Sequence, residues 1–132
     1  MSLAPLLAAP SLVQVHVAAA LAAIVLGLAQ FLRPKGNGAH RLLGWCWVVL
    51  MAIVALSSIG TTGVAGPGRF SWIHGISAIT ICLLAAAVVS ARRGQIRKHR
   101  SSMIGLYLGA LLVTGAFTLL PGRIMGRVVF GW

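Results

Sequence analysis

The sequence contains no aspartate and no glutamate among its 132 residues. This absence excludes every site that needs a carboxylate, including a serine–histidine–aspartate triad, the acid pair of a glycosidase, an oxygen-only magnesium or calcium site and a carboxylate proton relay. The groups that titrate near neutral pH are four histidines, two cysteines and the N-terminal amine. Any ligand or acid–base chemistry is therefore expected to centre on the histidines.

Charge of either sign is scarce. The 11 charged residues are all Lys or Arg and make up 8% of the chain. In a soluble domain about a quarter of the residues are charged, and both signs are present. Four uncharged stretches separate them: residues 1–32, 42–68, 70–91 and 101–122. Each is longer than the roughly 20 apolar residues that cross a hydrocarbon core of about 30 Å. The composition therefore excludes water-soluble folds and predicts a small membrane protein with four spans.

Glycines and prolines interrupt the sequence between the uncharged stretches. The predicted spans cover about residues 12–32, 42–60, 71–91 and 101–120, within a single domain over residues 1–132. Connections as short as these hold successive helices antiparallel. The predicted fold is an all-α, antiparallel four-helix transmembrane bundle made of two repeated helical hairpins.

The cations are shared unequally between the two ends of this bundle. Eight lie in the loops at one end: Arg33, Lys35, Arg41, Arg92, Arg93, Arg97, Lys98 and Arg100. Three lie at the opposite end: Arg69, Arg123 and Arg127. Because cytoplasmic loops carry the excess of Lys and Arg, we expect both termini on the outer, periplasmic side of a bacterial inner membrane. The charge then indicates topology and attraction to anionic lipid, and nucleic acid is not expected as a partner.

Neither the first ten residues nor the cysteines indicate processing or a disulfide. Residues 1–10 lack a basic segment and contain Pro5 and Pro10, so we expect a short tail and no signal peptide. Cys46 and Cys82 stand alone within predicted spans, which is typical of small buried core residues.

The four histidines repeat in both hairpins with nearly the same spacing. His16 and His74 lie about one turn into the first and third spans and form an outer tier. His40 and His99 open the second and fourth spans, 24 and 25 residues later, and form an inner tier. Spans one and three are diagonal in a square bundle, as are spans two and four. Imidazoles that project inward from diagonal helices can ligate a haem iron from both faces, so the pattern predicts two b-type haems, one in each tier.

Other residues suit the periphery of a haem. Arg41 and Arg100 directly follow the inner histidines, and the arginine side chain pairs well with the carboxylates of haem propionates. The three outer arginines are candidates for the same role at the outer tier. Small residues that would leave room for a porphyrin recur at helical spacing from the histidines: Ala20, Ala23, Gly27, Gly44, Ala78 and Ala85.

Several segments carry a resemblance to a known family. They are the run from His99 to Tyr107, the run from Phe117 to Arg123, the run from His40 to Gly44, and His16 with Gly27 and Gln30. Together they resemble a widespread bacterial domain-of-unknown-function family of four-helix predicted membrane proteins, over nearly the whole chain. That resemblance implies the four-helix membrane fold.

A looser resemblance concerns the histidines at helix ends that are followed by arginine and a nearby glycine. They are similar to the di-haem, ascorbate-reducible b-type cytochromes, which pass electrons across membranes. This resemblance implies that His16 and His74 ligate an outer haem and that His40 and His99 ligate an inner one. Those cytochromes have more helices and additional residues on the substrate side, and this chain departs from them there.

Other interpretations are open on the residues alone. A transmembrane histidine can serve only to hydrogen-bond a neighbouring helix, and the chain would then be a non-enzymatic small subunit of a larger membrane complex or a homo-oligomer. A third hypothesis is a protein for permeation of a metal or small solute, with Met51 and Met103 as candidate soft ligands. Two histidines per tier underfill a zinc site. Under the haem hypothesis, a quinol or another small reductant is the expected electron donor to an oxidoreductase subunit.

Overall fold

The computed structural model describes residues 1–60 and 72–131, with the backbone alone at residues 72 and 73. Every regular element in these ranges is a helix. The α-helices are α1 Ala4–Leu7, α2 Ser11–Leu32, α3 Gly38–Gly60, α4 Trp72–Arg92, α5 Ile96–Gly105, α6 Thr114–Phe117 and α7 Ile124–Phe130, and a π-helix, Leu106–Val113, joins α5 to α6. Four stretches are long and apolar enough to cross a membrane: Ser11–Leu32, Gly38–Gly60, His74–Arg92 and Ile96–Phe117. The predicted all-α class with four spans is confirmed.

Successive spans pack side by side. Helix α2 packs on α3, α3 on α4 and α4 on α5, and the π-helix closes the ring by contacting both α2 and α4. Among the described residues, the backbones of α2 and α4 do not approach within 8 Å, and neither do those of α3 and α5. These two pairs are therefore the diagonals of the bundle, an arrangement consistent with the antiparallel order that the short connections predict.

The centre of the bundle is a packed layer between the two ends. Trp47 and Met51 of α3 are buried there against Leu106 and Tyr107 at the start of the π-helix. The indole Nε1 of Trp47 donates to the carbonyl of Ala23 at 3.0 Å, and the Tyr107 hydroxyl donates to the carbonyl of Ile24 at 3.0 Å. Both polar atoms of these rings are thus satisfied within an otherwise apolar core, which we call the central layer.

Gly27 lies where α2 meets this layer. A Cβ atom at this position would lie 2.5 Å from Cε2 of Tyr107 and 2.9 Å from Nε1 of Trp47. The space above Gly27, predicted to accommodate a porphyrin, is therefore filled by two aromatic rings. That prediction was wrong for Gly27, because the absence of a side chain allows the two rings to pack directly on the backbone of α2.

Two spans begin earlier than predicted, at residues rich in charge. Helix α3 begins at Gly38, because the Asn37 side-chain oxygen accepts a hydrogen bond from the His40 amide at 2.8 Å and caps the helix. The fourth span begins at Ile96 and includes cations, whose long side chains can extend to water from a helix end. It ends at Phe117. The backbone amides of residues 118–120 donate to carbonyls three residues earlier, which makes a tighter turn than an α-helix before Pro121.

Two short helices were not predicted. Helix α1, within the expected tail, tolerates Pro5 in its first turn, where a proline interrupts no helical hydrogen bond. It packs on α7 near the ends of the chain, and the Ser2 amide donates to the Val128 carbonyl at 3.0 Å. The expected short tail is therefore helical in part and docked.

Cys46 and Cys82 are both exposed on the outside of the helices, so their predicted burial was wrong. In lipid, an outward-facing position is as apolar as the core, and hydrophobicity alone does not decide which face of a span is buried.

Candidate histidine sites at the two ends of the bundle

His16 is hydrogen-bonded across the interface between α2 and α3. Its Nδ1 lies 2.8 Å from the Ser57 hydroxyl, and Ser57 in turn donates to the Ile53 carbonyl at 2.6 Å. His16 is also hydrogen-bonded to the backbone of Val54 on the same helix turn. The imidazole is therefore held on α3 by one hydroxyl and one backbone group.

His74 reaches the same turn of α3 from the other side. Its Nε2 lies 3.1 Å from the Ile59 carbonyl, which can only accept, so Nε2 carries the proton. Ser58 and Ser77 are hydrogen-bonded to each other beside it. The two outer histidines thus lie at one level and bond to positions two residues apart on α3.

His99 joins α5 to α4 at the inner end. Its Nδ1 donates to the backbone carbonyl of Ala87 at 2.8 Å. A carbonyl on Nδ1 fixes the tautomer and ring orientation, and it presents the lone pair on Nε2. This is the hydrogen bond that a histidine needs when Nε2 holds a metal ion.

His40 lies opposite His99 across the bundle. It is on the first turn of α3, whereas His99 is on α5. The backbones of α3 and α5 are not in contact, so the two inner histidines lie on diagonal helices at the same end of the bundle.

Gln30 and His40 share an unusual environment between α2 and α3. The Gln30 side-chain amide donates to the His40 carbonyl at 2.9 Å, and only 9% of the residue is exposed. Gln30 Oε1 and His40 Nδ1 are buried, and neither has a hydrogen-bond partner in the part of the chain that is described. A buried polar atom without a partner costs about 1–3 kcal/mol. Such atoms call for a functional explanation. Sequence reasoning noted Gln30 only as part of a family pattern, although a glutamine in an apolar span was itself the signal.

The predicted propionate partners lie on the surface. Arg41 and Arg100 are exposed at the inner end. At the outer end, Arg123 immediately precedes α7 and Arg127 lies on it, and Arg69 lies outside the described residues. The chain has no carboxylate to pair with any of them.

The described residues contain no group of three or more His, Cys, Asp or Glu side chains that could hold a metal ion. Met51 is fully buried in the core and Met103 packs against it, so both serve the packing. The described histidines lie two at each end of the bundle, and a haem iron takes one or two such ligands from a protein.

Comparison with protein families gives one match over most of the chain. The family described as "Predicted membrane protein (DUF2306)" matches residues 13–130. No solved structure matches the chain.

Curated proteins give a shorter similarity. The chain is 36% identical over 61 residues to the potassium-binding subunit of the potassium-transporting ATPase of Salmonella paratyphi B, and it matches the same subunit of Salmonella newport to the same extent. The matched part is 46% of this chain and 11% of each relative. The chain thus spans about a ninth of the length of these relatives.

Proposed function

Because the chain belongs to the family of predicted membrane proteins DUF2306, we propose for this integral membrane protein a function that rests on its histidine pairs. The function is transmembrane electron transfer through b-type haem. The resemblance to this family noted on the sequence is confirmed, whereas the haem remains our proposal. The membrane fold supplies the scaffold, and the histidines supply the chemistry.

The observation that carries the proposal is the inner pair. His40 and His99 lie at the same end of the bundle on diagonal helices, from which both could hold a haem iron. His99 already has Nδ1 on a carbonyl and its Nε2 lone pair available. No carboxylate competes for these rings anywhere in the chain.

Haem, when bound, supplies a one-electron carrier whose potential depends on its axial ligands and surroundings. The residues of the inner tier would hold and tune it. His40 and His99 provide neutral nitrogen ligands, and Arg41 and Arg100 provide exposed guanidinium groups for propionates at the same end. Gln30 excludes water from the α2 side, since it is almost fully buried.

The outer pair is the proposed site of a second haem. His16 is hydrogen-bonded to Ser57 and to the backbone of Val54, and the Nε2 of His74 is bonded to the Ile59 carbonyl. His74 would therefore exchange that hydrogen bond for the iron, or ligate through Nδ1. The outer site thus demands more rearrangement than the inner one, and we expect the inner haem to bind more tightly.

The proposed orientation follows from the cations. Eight lie at the inner end, which we assign to the cytoplasm of a bacterium, with both termini on the periplasmic side of the inner membrane. A quinol or another small reductant is the proposed electron donor.

A second candidate is a non-enzymatic subunit of a larger membrane complex. One observation favours it: three histidines hydrogen-bond to the neighbouring span, which is the behaviour of residues that only fasten helices. The short similarity to a subunit of a potassium-transporting ATPase also points to a complex.

An absorption spectrum distinguishes the two candidates. Full-length protein, expressed with ample haem and purified in detergent, should give sharp b-type bands in the dithionite-reduced minus air-oxidised difference, with about two haems per chain. His99→Ala should remove the inner haem and leave about one per chain. Met103→Leu, one turn along the same helix, is the matched control and should keep both.

A folded but colourless wild-type protein contradicts the haem proposal and favours the subunit. The subunit candidate also expects His99→Ala to lower the thermal unfolding temperature, because it loses the bond to Ala87. Circular dichroism of both variants in detergent measures this.

A further inference from the structure

Gln30 is fixed against the first turns of α3. Its amide nitrogen is bound to the carbonyl of His40, and a Cβ added at Gly44 would lie 3.5 Å from that nitrogen. The Gln30 side chain therefore lies beside Gly44, one turn beyond His40, and its amide nitrogen is oriented by the hydrogen bond to the His40 carbonyl.

The two unpartnered atoms of this region are chemically complementary. Gln30 Oε1 can only accept a hydrogen bond, and His40 Nδ1 can donate one when it carries the imidazole proton. Both atoms are buried, and they belong to residues already joined by the bond from the Gln30 amide to the His40 backbone.

We propose that Gln30 is the positioning residue of the inner site: its Oε1 accepts the Nδ1 proton of His40 when His40 Nε2 ligates haem iron. This inference rests on the proposed function. Ligation at Nε2 places the proton on Nδ1, and ligating histidines almost always donate that proton to a carbonyl, carboxylate or water. Gln30 supplies the acceptor from within the apolar span.

The opposite histidine already has the corresponding bond. His99 donates from Nδ1 to the backbone carbonyl of Ala87, on the helix next to its own. Gln30 would give His40 an amide carbonyl from the helix next to α3. The two imidazoles that would hold the haem would then have acceptors of the same chemical type, so neither would be driven toward an imidazolate as a carboxylate would drive it.

The test compares three variants of the full chain in detergent. Gln30→Met keeps the size of the side chain and removes both the acceptor and the donor to the His40 carbonyl. Gln30→Glu lacks the same donor and keeps an acceptor, so the comparison of the two variants isolates the acceptor, and Gln14→Met is the control. Gln14 is on the same helix and also donates to backbone carbonyls, those of Leu7 and Ala9, but at the opposite end. Haem b is titrated into apoprotein to measure affinity, and each midpoint potential is measured by redox titration.

We expect Gln30→Met to weaken inner haem binding about 10–100-fold, the usual cost of losing such a partner. Its midpoint potential should become more positive, because His40 becomes a weaker donor to ferric iron. Gln30→Glu should restore the affinity and shift the potential to a more negative value. Gln14→Met should match the wild type in both.

Each outcome has a distinct meaning. Wild-type affinity and potential in Gln30→Met would overturn the role of Gln30 while leaving the haem proposal intact. A wild-type protein that takes up no haem overturns the proposed function and this inference together. If Gln30→Met does not fold, Gln30→Glu decides, and a potential equal to that of the wild type contradicts the inference.

Discussion

Gly27 shows what one missing side chain does in this bundle. The carbonyls of Ala23 and Ile24, on the turn that precedes it, accept hydrogen bonds from Trp47 and Tyr107. In a helix, a side chain covers the turn on its N-terminal side, so any residue larger than glycine would cover these carbonyls. The aromatic rings reach these two carbonyls because Gly27 has no side chain.

Gly27→Ala is therefore expected to destabilise the protein. Its methyl group would overlap the Tyr107 ring and crowd the Trp47 indole, and overpacking of this kind costs about 1–3 kcal/mol. Reversible unfolding in mixed micelles measures the free energy of unfolding. Gly105→Ala is the matched control, because a Cβ there meets nothing within 4 Å, and equal stability of the two variants would contradict the argument.

Burial of individual residues was the part that sequence predicted least well. Cys46 and Cys82 face outward. Two aromatic rings fill the space beside Gly27 that was expected to accommodate a porphyrin. In water, the apolar face of a helix identifies its buried side, but a span that is apolar all round carries no such signal. The inner histidines could be singled out on the sequence because polar groups inside lipid are rare, and their pairing on a haem stays a prediction.

At the scale of elements, α3 depends on the residue that precedes it. Asn37 caps the helix through the His40 amide, and the same helix turn carries the inner histidine. The cap therefore fixes both the start of the span and the height of His40 in the membrane.

Asn37→Ala should lower the free energy of unfolding by about 1 kcal/mol, the usual cost of losing a cap. The same unfolding titration in mixed micelles measures it. Asn37→Ser keeps a side-chain oxygen at this position, so its stability should lie close to that of the wild type. Equal losses in both variants would show that the cap contributes nothing.

The helices α1 and α7 could not be predicted because neither is stable by itself. Helices of 4 and 7 residues are far shorter than the 12–15 residues that an isolated helix needs for even marginal stability. They form because they pack on each other, and that contact joins the two ends of the chain. The long spans need no such partner, since lipid requires the backbone to satisfy its own hydrogen bonds, and hydropathy therefore predicts them well.

At the scale of the molecule, the cations divide the protein into two unequal ends. No carboxylate neutralises them, so the whole imbalance acts on topology and on anionic lipid. The spans and the antiparallel order follow from this pattern and from the short connections.

The proposed orientation predicts that a reporter fused after the last residue lies outside the cytoplasm. Alkaline phosphatase, which folds only in an oxidising compartment, should be active at the C-terminus and inactive when fused after Arg93 in the inner loop. Activity after Arg93 and none at the C-terminus would reverse the orientation and overturn the assignment of the inner end.

Under the proposed function, the central layer decides whether a proton could accompany an electron between the two tiers. The indole and hydroxyl protons of Trp47 and Tyr107 are held by backbone carbonyls, and the rest of that core is hydrocarbon and thioether. Such a layer offers no relay for protons between the two tiers. An electron that passed from one haem to the other would therefore move charge alone, and the membrane voltage would act on the step. A full transit of one charge is worth about 2.3 kcal/mol per 100 mV, so the direction of electron flow would depend on the energised state of the cell.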